Sequence, residues 1–243
     1  MIQQEQGRLS TVMLTDANLE PAVKAAVGMT DKVFKGTTTC ALTFDKGVIV
    51  AADKRATMGH FIAAKTVEKV HLIDDKIAMT MAGGVGDAQI LARLVKAEIE
   101  IFKYTRGKAM SVKAVGTLLS NVLQGNKYFP YMVQLIVAGF DDKPTIFDLD
   151  PFGGLLEEKY VSTGSGSVTA YGILDEYYVE GMTRDDAARI AVRAINSAMR
   201  RDSATGEGID VFVITKEGSV RLTKAEVQSY IDGQTIAATR KTK

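Results

Sequence analysis

Runs of apolar residues divide most of the chain into strands and helices. Residues 37–44 are rich in β-branched side chains and predict a strand, and residues 48–52 are apolar without interruption, as in a strand buried on both faces. A second hairpin is predicted from residues 69–73 and 77–81, joined by a short polar turn. The pattern therefore begins with two antiparallel hairpins.

Apolar residues that recur every three or four positions predict two helices after these hairpins. The first covers residues 87–104, and the second begins at Ser111, whose side chain can cap it, and ends at Gly125. Strands and helices then repeat in the same order, which predicts one domain of helices and antiparallel sheets in layers. The predicted strands of this half are 133–140, 145–149, 155–161, 209–215 and 219–222, and its helices are 168–178, 184–199 with Thr183 as cap, and 224–231.

Residues 1–36 differ from the rest of the chain in their pattern of apolar and charged residues. They contain four acidic and four basic residues, and their scattered apolar side chains show no sustained period. We expect an amino-terminal arm with one short helix over residues 20–27, in which Pro21 fits the first helical position.

Charge is nearly balanced over the whole chain, with 30 lysines and arginines against 29 acidic residues. Without an excess of either sign, the chain is not expected to bind nucleic acid or anionic membranes. No apolar run approaches the roughly 18 residues of a membrane-spanning helix. The first residues lack the basic and apolar regions of a secretory signal, so a cytoplasmic protein is expected.

Cysteine and histidine are scarce, with one cysteine, Cys40, and two histidines, His60 and His71. These counts exclude an internal disulfide and a cysteine-rich zinc site, and they argue against a histidine-rich metal centre. We interpret Cys40 as a buried strand residue and both histidines as non-catalytic. No histidine then remains for a Ser-His-Asp or Cys-His catalytic set.

Two glycine-rich segments, 83–86 and 164–166, precede predicted helices. Neither completes the dinucleotide motif G-x-G-x-x-G, since Thr169 stands where the third glycine should be, and the P-loop motif G-x-x-x-x-G-K-[ST] is absent too. We interpret both as tight turns that expose backbone N–H groups, and we expect no cofactor.

Thr37, Asp53 and Lys69 suggest a different catalytic chemistry. A hydroxyl group needs a base, and without a histidine that base can be an α-amino group, whose pKa of about 7.7–8.0 lies near neutrality. Thr37 would carry such an amine after cleavage of the chain behind Gly36. A lysine kept charged by Asp53 would lower the pKa of that amine.

With these residues as its starting point, the chain resembles the β subunits of the 20S proteasome, in an archaeal-type precursor form. The resemblance runs from Gly36 to about Leu222 and rests on motifs that occur together and in order. The motifs are Gly36-Thr37-Thr38-Thr39 and the segments 47–57, 80–84, 131–134, 162–167 and 201–204.

The resemblance implies an α+β fold, the four-layer αββα sandwich of N-terminal nucleophile hydrolases with two antiparallel sheets. It also implies that residues 1–36 are a propeptide removed autocatalytically, which makes the chain a zymogen. Residues 37–243 would then form the peptidase domain, a threonine protease without metal or cofactor.

Site residues are implied by position. Thr37 would be the nucleophile and the source of the base, Lys69 would face it with Asp53 as partner, and the Gly83 N–H would hold the oxyanion. Thr205 departs from the usual serine but keeps the hydroxyl. Ser165, Asp202 and Thr205 would surround the Thr37 amine.

The implied substrate site is apolar, which predicts cleavage after large hydrophobic residues, a chymotrypsin-like preference. An extended substrate would add as a strand along Thr57, Gly83 and Val85. The pocket itself would be lined by Ala56, Val67, Met81 and Val85, with His71 and Gln89 at its border.

The implied partners are proteasome α subunits, further copies of this chain in stacked seven-membered β rings, an ATP-dependent unfoldase and unfolded protein substrates. Two alternatives stay open: a non-catalytic ring subunit, and an N-terminal nucleophile amidohydrolase acting on small amides. The set of Thr37, Asp53 and Lys69 disfavours the first, and segment 162–167 disfavours the second.

Overall fold

The computed structural model describes residues 36–233. The predicted arm and its helix over residues 20–27 lie outside the described residues. Within residues 36–233, no helix is long and apolar enough to span a membrane.

In chain order the strands are β1 (Thr39–Phe44), β2 (Gly47–Asp53), β3 (Ala56–Met58), β4 (Phe61–Ala64), β5 (Val70–Asp74), β6 (Ile77–Gly83), β7 (Val133–Phe140), β8 (Pro144–Leu149), β9 (Leu155–Glu158), β10 (Tyr160–Thr163), β11 (Ile209–Thr215) and β12 (Gly218–Arg221). The helices are α1 (Val85–Arg106), α2 (Val112–Gly125), α3 (Ser167–Tyr177), α4 (Arg184–Arg201) and α5 (Lys224–Asp232).

The strands form two antiparallel five-stranded sheets and one small hairpin. The first sheet has the order β10-β1-β2-β11-β12, and the second has the order β5-β6-β7-β8-β9. The hairpin pairs β3 with β4. Register in the first sheet places Thr39 opposite both Ala52 of β2 and Thr163 of β10.

Three apolar cores separate the layers. Val48, Val50 and Ala52 of β2 pack with residues of β5–β8 between the two sheets. Ile49 and Ala51, which point the other way, pack on α3 and α4. The far face of the second sheet packs on α1 and α2. The order of layers is therefore helix, sheet, sheet, helix, which confirms the predicted sandwich.

The predicted helix caps are present. The Ser111 hydroxyl accepts a hydrogen bond from Ala114 N at 3.2 Å, and the Thr183 hydroxyl accepts one from Asp186 N at 3.2 Å. Each cap satisfies an N–H group that has no partner within its helix.

One prediction of local structure was wrong, and one hairpin was missed. The single strand expected over residues 155–161 is two strands, β9 and β10, and these belong to different sheets. The hairpin β3–β4 was missed, because Met58 and Phe61 are exposed by 72% and 66% and give no alternating apolar pattern.

Buried hydroxyl groups join the two sheets close to the start of β1. Thr39 Oγ1 lies 3.0 Å from Thr80 Oγ1 of β6 and 2.7 Å from Thr163 Oγ1 of β10. Because a buried hydroxyl without a partner is costly, these bonds fix β1 against β6. Thr37 precedes β1 and Gly83 ends β6, so the same bonds relate two of the predicted site residues.

Candidate active site

Thr37 lies two residues before the start of β1 and is only 7% exposed. Its carbonyl oxygen accepts a hydrogen bond from Gly166 N at 3.4 Å. Gly164 approaches Thr37 so closely that a Cβ atom at residue 164 would overlap the Thr37 carbonyl, and its φ is +91°. The turn 164–166 therefore holds the Thr37 backbone from one side, and Gly164 is required for that approach.

Asp53 and Lys69 form a buried ion pair beside Thr37. Lys69 Nζ lies 2.7 Å from Asp53 Oδ1, with side-chain exposures of 5% and 0%. Asp53 also accepts hydrogen bonds from three backbone N–H groups: Thr38 at 2.9 Å, Arg55 at 3.0 Å and Gly206 at 3.0 Å. Four donors thus stabilise a carboxylate that water does not reach.

Two effects act on the pKa of Lys69. Burial lowers this pKa below its ordinary value, and the adjacent Asp53 carboxylate opposes the shift. The ammonium group also donates to Gly36 O at 3.0 Å. Lys69 therefore places a positive charge against the peptide bond between Gly36 and Thr37.

Two hydrogen-bond donors converge on that peptide bond. Thr37 Oγ1 donates to Gly36 O at 2.6 Å, so this carbonyl oxygen accepts from both a hydroxyl and an ammonium group. Gly36 has φ +127°, and a Cβ atom there would overlap the Thr57 hydroxyl. A residue with a side chain would be strained at position 36 and would collide with Thr57.

Ser165, Asp202 and Thr205 form a hydrogen-bonded cluster on the other side of Thr37. Asp202 Oδ2 accepts from Ser165 Oγ at 2.5 Å and from Thr205 Oγ1 at 2.6 Å. Because the Ser165 hydroxyl donates its one proton to Asp202, the Ser165 oxygen can accept a hydrogen bond from Thr37 N, 3.4 Å away. Thr205 Oγ1 also bonds Thr38 Oγ1 at 2.7 Å, so its hydroxyl is fully engaged in the cluster.

The residues predicted to bind substrate flank the ion pair along the chain. Val67 N donates to Lys54 O at 2.9 Å, and Met81 N donates to Lys69 O at 3.0 Å. Gly83 follows two residues after Met81 at the end of β6, with φ +114°. Ala56 and Val67 are half-buried, Met81 is buried, and Val85 is exposed at the start of α1.

The remaining candidates have more ordinary surroundings. Cys40 is fully buried in β1, and burial raises its pKa to about 12, which makes it the unreactive core residue that was predicted. His71 is half-buried on β5, and burial lowers its pKa. Gln89 is exposed on α1, and His60 is exposed in the turn between β3 and β4.

Sequence reasoning missed two contributors to the site, Thr38 and Gly206. Both donate backbone N–H groups to Asp53, and the Thr38 hydroxyl bonds Thr205. Gly206 follows a polar segment that ends helix α4, and such composition signals a loop. It does not signal that the loop returns to strand β2.

This arrangement can perform acyl transfer. A hydroxyl lies beside a carbonyl group whose oxygen already accepts from an ammonium ion, which favours negative charge on that oxygen. The Thr37 nitrogen lies beside the cluster of Ser165 and Asp202, whose oxygen atoms can accept hydrogen bonds. Acyl transfer needs a nucleophile and an oxyanion donor, and the Thr37 hydroxyl and the Lys69 ammonium group are groups of these two kinds.

Comparisons with known proteins agree with the fold. The sequence profile of the family described as "Proteasome subunit" matches residues 33–214, a range that contains the site from Gly36 to Thr205. The chain is 52% identical over 203 residues to the "Proteasome subunit beta" of Archaeoglobus profundus, covering 83% of this chain and 94% of that protein. It is 51% identical over 201 residues to the protein of the same description in Methanosarcina mazei, covering 82% and 96%. With that of Methanoculleus marisnigri it shares 54% identity over 188 residues, covering 76% and 88%.

The approach of the turn 164–166 to Thr37 predicts the effect of one substitution. Gly164→Ala should lower the free energy of unfolding of the full chain by more than about 1 kcal/mol, because the new methyl group overlaps Thr37 O at a left-handed φ. Gly172→Ala is the control, because helix α3 leaves open space at residue 172, and it should be neutral or stabilising by up to about 1 kcal/mol. Urea unfolding measures both, and equal effects would contradict the close approach.

Proposed function

The chain belongs to the proteasome subunit family, and from this premise we propose that it is a catalytic β subunit, a threonine endopeptidase that first cleaves its own chain after Gly36. One observation carries the proposal. The Thr37 hydroxyl and the Lys69 ammonium group both contact the carbonyl oxygen of the bond to be cut, at 2.6 Å and 3.0 Å.

Self-cleavage begins with attack of Thr37 Oγ1 on the carbonyl carbon of Gly36. The C–O bond forms first, as the hydroxyl proton passes to water or to a neighbouring side chain, and the carbonyl becomes a tetrahedral oxyanion. The C–N bond then breaks as the nitrogen gains a proton, which leaves an ester. Lys69 stabilises the negative charge that develops on Gly36 O. Water then hydrolyses the resulting ester, which releases residues 1–36 as a propeptide and leaves a free amine on Thr37.

Peptide hydrolysis uses the freed amine as the base. The Thr37 hydroxyl gives its proton to this amine, directly or through a water molecule, and attacks the substrate carbonyl carbon. The Gly83 N–H holds the oxyanion, the leaving amine takes the proton, and water assisted by the amine cleaves the ester. The positive charge of Lys69 keeps the pKa of the Thr37 amine low enough for this role.

Ser165, Asp202 and Thr205 orient the amine in this scheme. Their hydrogen bonds form a connected cluster in which Ser165 Oγ already lies 3.4 Å from Thr37 N. An ammonium group formed at this nitrogen would gain Asp202 as a nearby counter-ion. The cluster therefore suits a nitrogen that alternates between amine and ammonium.

The assembly proposed is that of the family. The chain would pair with α subunits, form stacked seven-membered β rings with its own copies, and receive unfolded proteins in the cytoplasm from an ATP-dependent unfoldase. Residues 37–243 would be the working peptidase domain.

Replacement of the nucleophile tests the proposal directly. Thr37→Ala should abolish both removal of residues 1–36 and peptide hydrolysis, because one hydroxyl serves both reactions. Thr37→Ser keeps a hydroxyl and should retain measurable activity in both. Amino-terminal sequencing and a casein-degradation assay of the assembled particle measure the two reactions. A shortened, active Thr37→Ala chain would overturn the proposal, and a wild-type particle that cuts small amides but spares casein would favour the amidohydrolase alternative.

The positive φ of Gly36, which glycine adopts readily and other residues do not, predicts a defect confined to maturation. Gly36→Ala should slow removal of the propeptide at least about tenfold, because a methyl group there collides with Thr57 and φ is left-handed. Residue 36 leaves with the propeptide, so the subunits that do mature should have the wild-type kcat per free Thr37. Normal processing of Gly36→Ala would contradict the geometry described for this bond.

The apolar residues near the ion pair predict the cleavage preference. Ala56, Val67, Met81 and Val85 bring no charge to the substrate pocket, so burial of a charged substrate side chain there is costly. Reporter peptides ending in tyrosine or leucine should give at least about tenfold higher kcat/KM than those ending in arginine or glutamate. Faster cleavage of the charged reporters would refute the chymotrypsin-like preference.

A further inference from the structure

The loop formed by residues 202–208 connects two parts of the site. Asp202 begins it and accepts the bonds from Ser165 and Thr205, at 2.5 Å and 2.6 Å. Gly206, four residues later, donates its N–H to Asp53 Oδ2 at 3.0 Å. The conformation of this loop therefore sets the position of the cluster around the Thr37 nitrogen relative to the buried ion pair.

Arg55 lies across this loop. Its Nη1 donates to Ser203 O at 2.7 Å and its Nη2 donates to Glu207 Oε1 at 3.0 Å, so the two arms of the guanidinium group hold both sides of Gly206. The guanidinium is in such close contact with Gly206 that a Cβ atom there would overlap it. A planar fork of donors fits two acceptors held at a fixed spacing, which a lysine ammonium group does not.

The loop needs such support because its backbone is strained. Glu207 has φ +68°, the one non-glycine residue with positive φ among residues 36–233, and Gly208 follows with φ +140°. A left-handed conformation costs free energy at a residue with a side chain and persists where the surrounding contacts impose it. The ion pair from Arg55 to Glu207 is formed at this strained residue.

We propose that Arg55 is a positioning residue for the reaction of Thr37. It holds residues 202–208 so that Gly206 reaches Asp53 while Thr205 and Ser165 reach Asp202. The proposal rests on the proposed function and adds to it a residue that contacts neither Thr37 nor the bond to be cut.

Electrostatics support the same role. Burial is the main cause that lowers the pKa of Lys69, and the positive charge of Arg55 lowers it further. Arg55 N also donates to Asp53 Oδ2 at 3.0 Å. The backbone of Arg55 therefore contacts the buried ion pair, while its side chain contacts residues 203 and 207 of the loop.

Lys54 provides a matched control for the side chain of Arg55. The two residues are neighbours, their side chains have equal exposure of 20%, and each forms a 3.0 Å ion pair. Lys54 Nζ donates to Asp210, outside residues 202–208, while the alkyl stem of Lys54, which methionine largely keeps, lies near Gly208. A general effect of charge or stability would therefore appear in both variants, and a positioning effect would appear only at Arg55.

The experiment compares Arg55→Met with Lys54→Met in the assembled, processed particle, with rates expressed per free amino-terminal Thr37. Arg55→Met should lower kcat by about 10- to 100-fold with KM within about twofold of wild type, because small displacements of catalytic groups slow the chemical step. Lys54→Met should leave both constants within about twofold. Arg55→Lys should remain at least about tenfold below wild type, because a single ammonium group cannot bond both acceptors.

Gly206→Ala tests the contact from the other partner. Its methyl group displaces the guanidinium while Arg55 itself is unchanged, so Gly206→Ala should reproduce the loss of kcat. The double variant Gly206→Ala with Arg55→Met should have a kcat within about twofold of that of the slower single variant, because both changes break the same contact. Additive losses, a wild-type kcat in Arg55→Met, or an equal loss in Lys54→Met would overturn the positioning role. Thr37→Ala is measured in parallel, because its activity would instead overturn the proposed function and with it this inference.

Discussion

The hydrogen-bonded carboxylate of Asp53 is the constraint on which the site depends. A fully buried charge is tolerated only when its partners replace water, and this one has four. They come from separate parts of the chain: the residue before β1, the link between β2 and β3, the residue before β5 and the loop after α4. Satisfying one carboxylate therefore requires that both sheets and a helix end be correctly placed.

The partner of that carboxylate connects structure to chemistry. Lys69 is held between Asp53 and the Gly36 carbonyl, so the charge that balances the buried acid also faces the bond before Thr37. In the proposed reactions the same ammonium group has two uses in succession. It first stabilises charge on the Gly36 oxygen, and after cleavage it lowers the pKa of the amine that remains.

The sequence predicted the layers well because buried strands have a clear pattern. The uninterrupted apolar run of β2 identified a central strand, and the heptad-like spacing of α1 and α2 identified helices that cover a sheet. The change of sheet between β9 and β10 could not be predicted from the apolar pattern, because alternation of apolar and polar residues does not indicate which sheet a strand joins. The contact between Arg55 and the loop that contains Gly206 was not predicted for a similar reason, since it joins positions about 150 residues apart.

Glycines in the site separate the two proposed reactions. Gly36, Gly164 and Gly206 each occupy a place where a side chain would overlap another group: the Thr57 hydroxyl, the Thr37 carbonyl or the Arg55 guanidinium. In the proposed self-cleavage Gly36 would depart with residues 1–36, so its geometry would constrain only the first reaction. Gly164 and Gly206 would remain, and the contacts they permit would constrain every later turnover. In this proposal the conformation that serves self-cleavage is discarded with the product, while the conformation that orients Thr37 is retained.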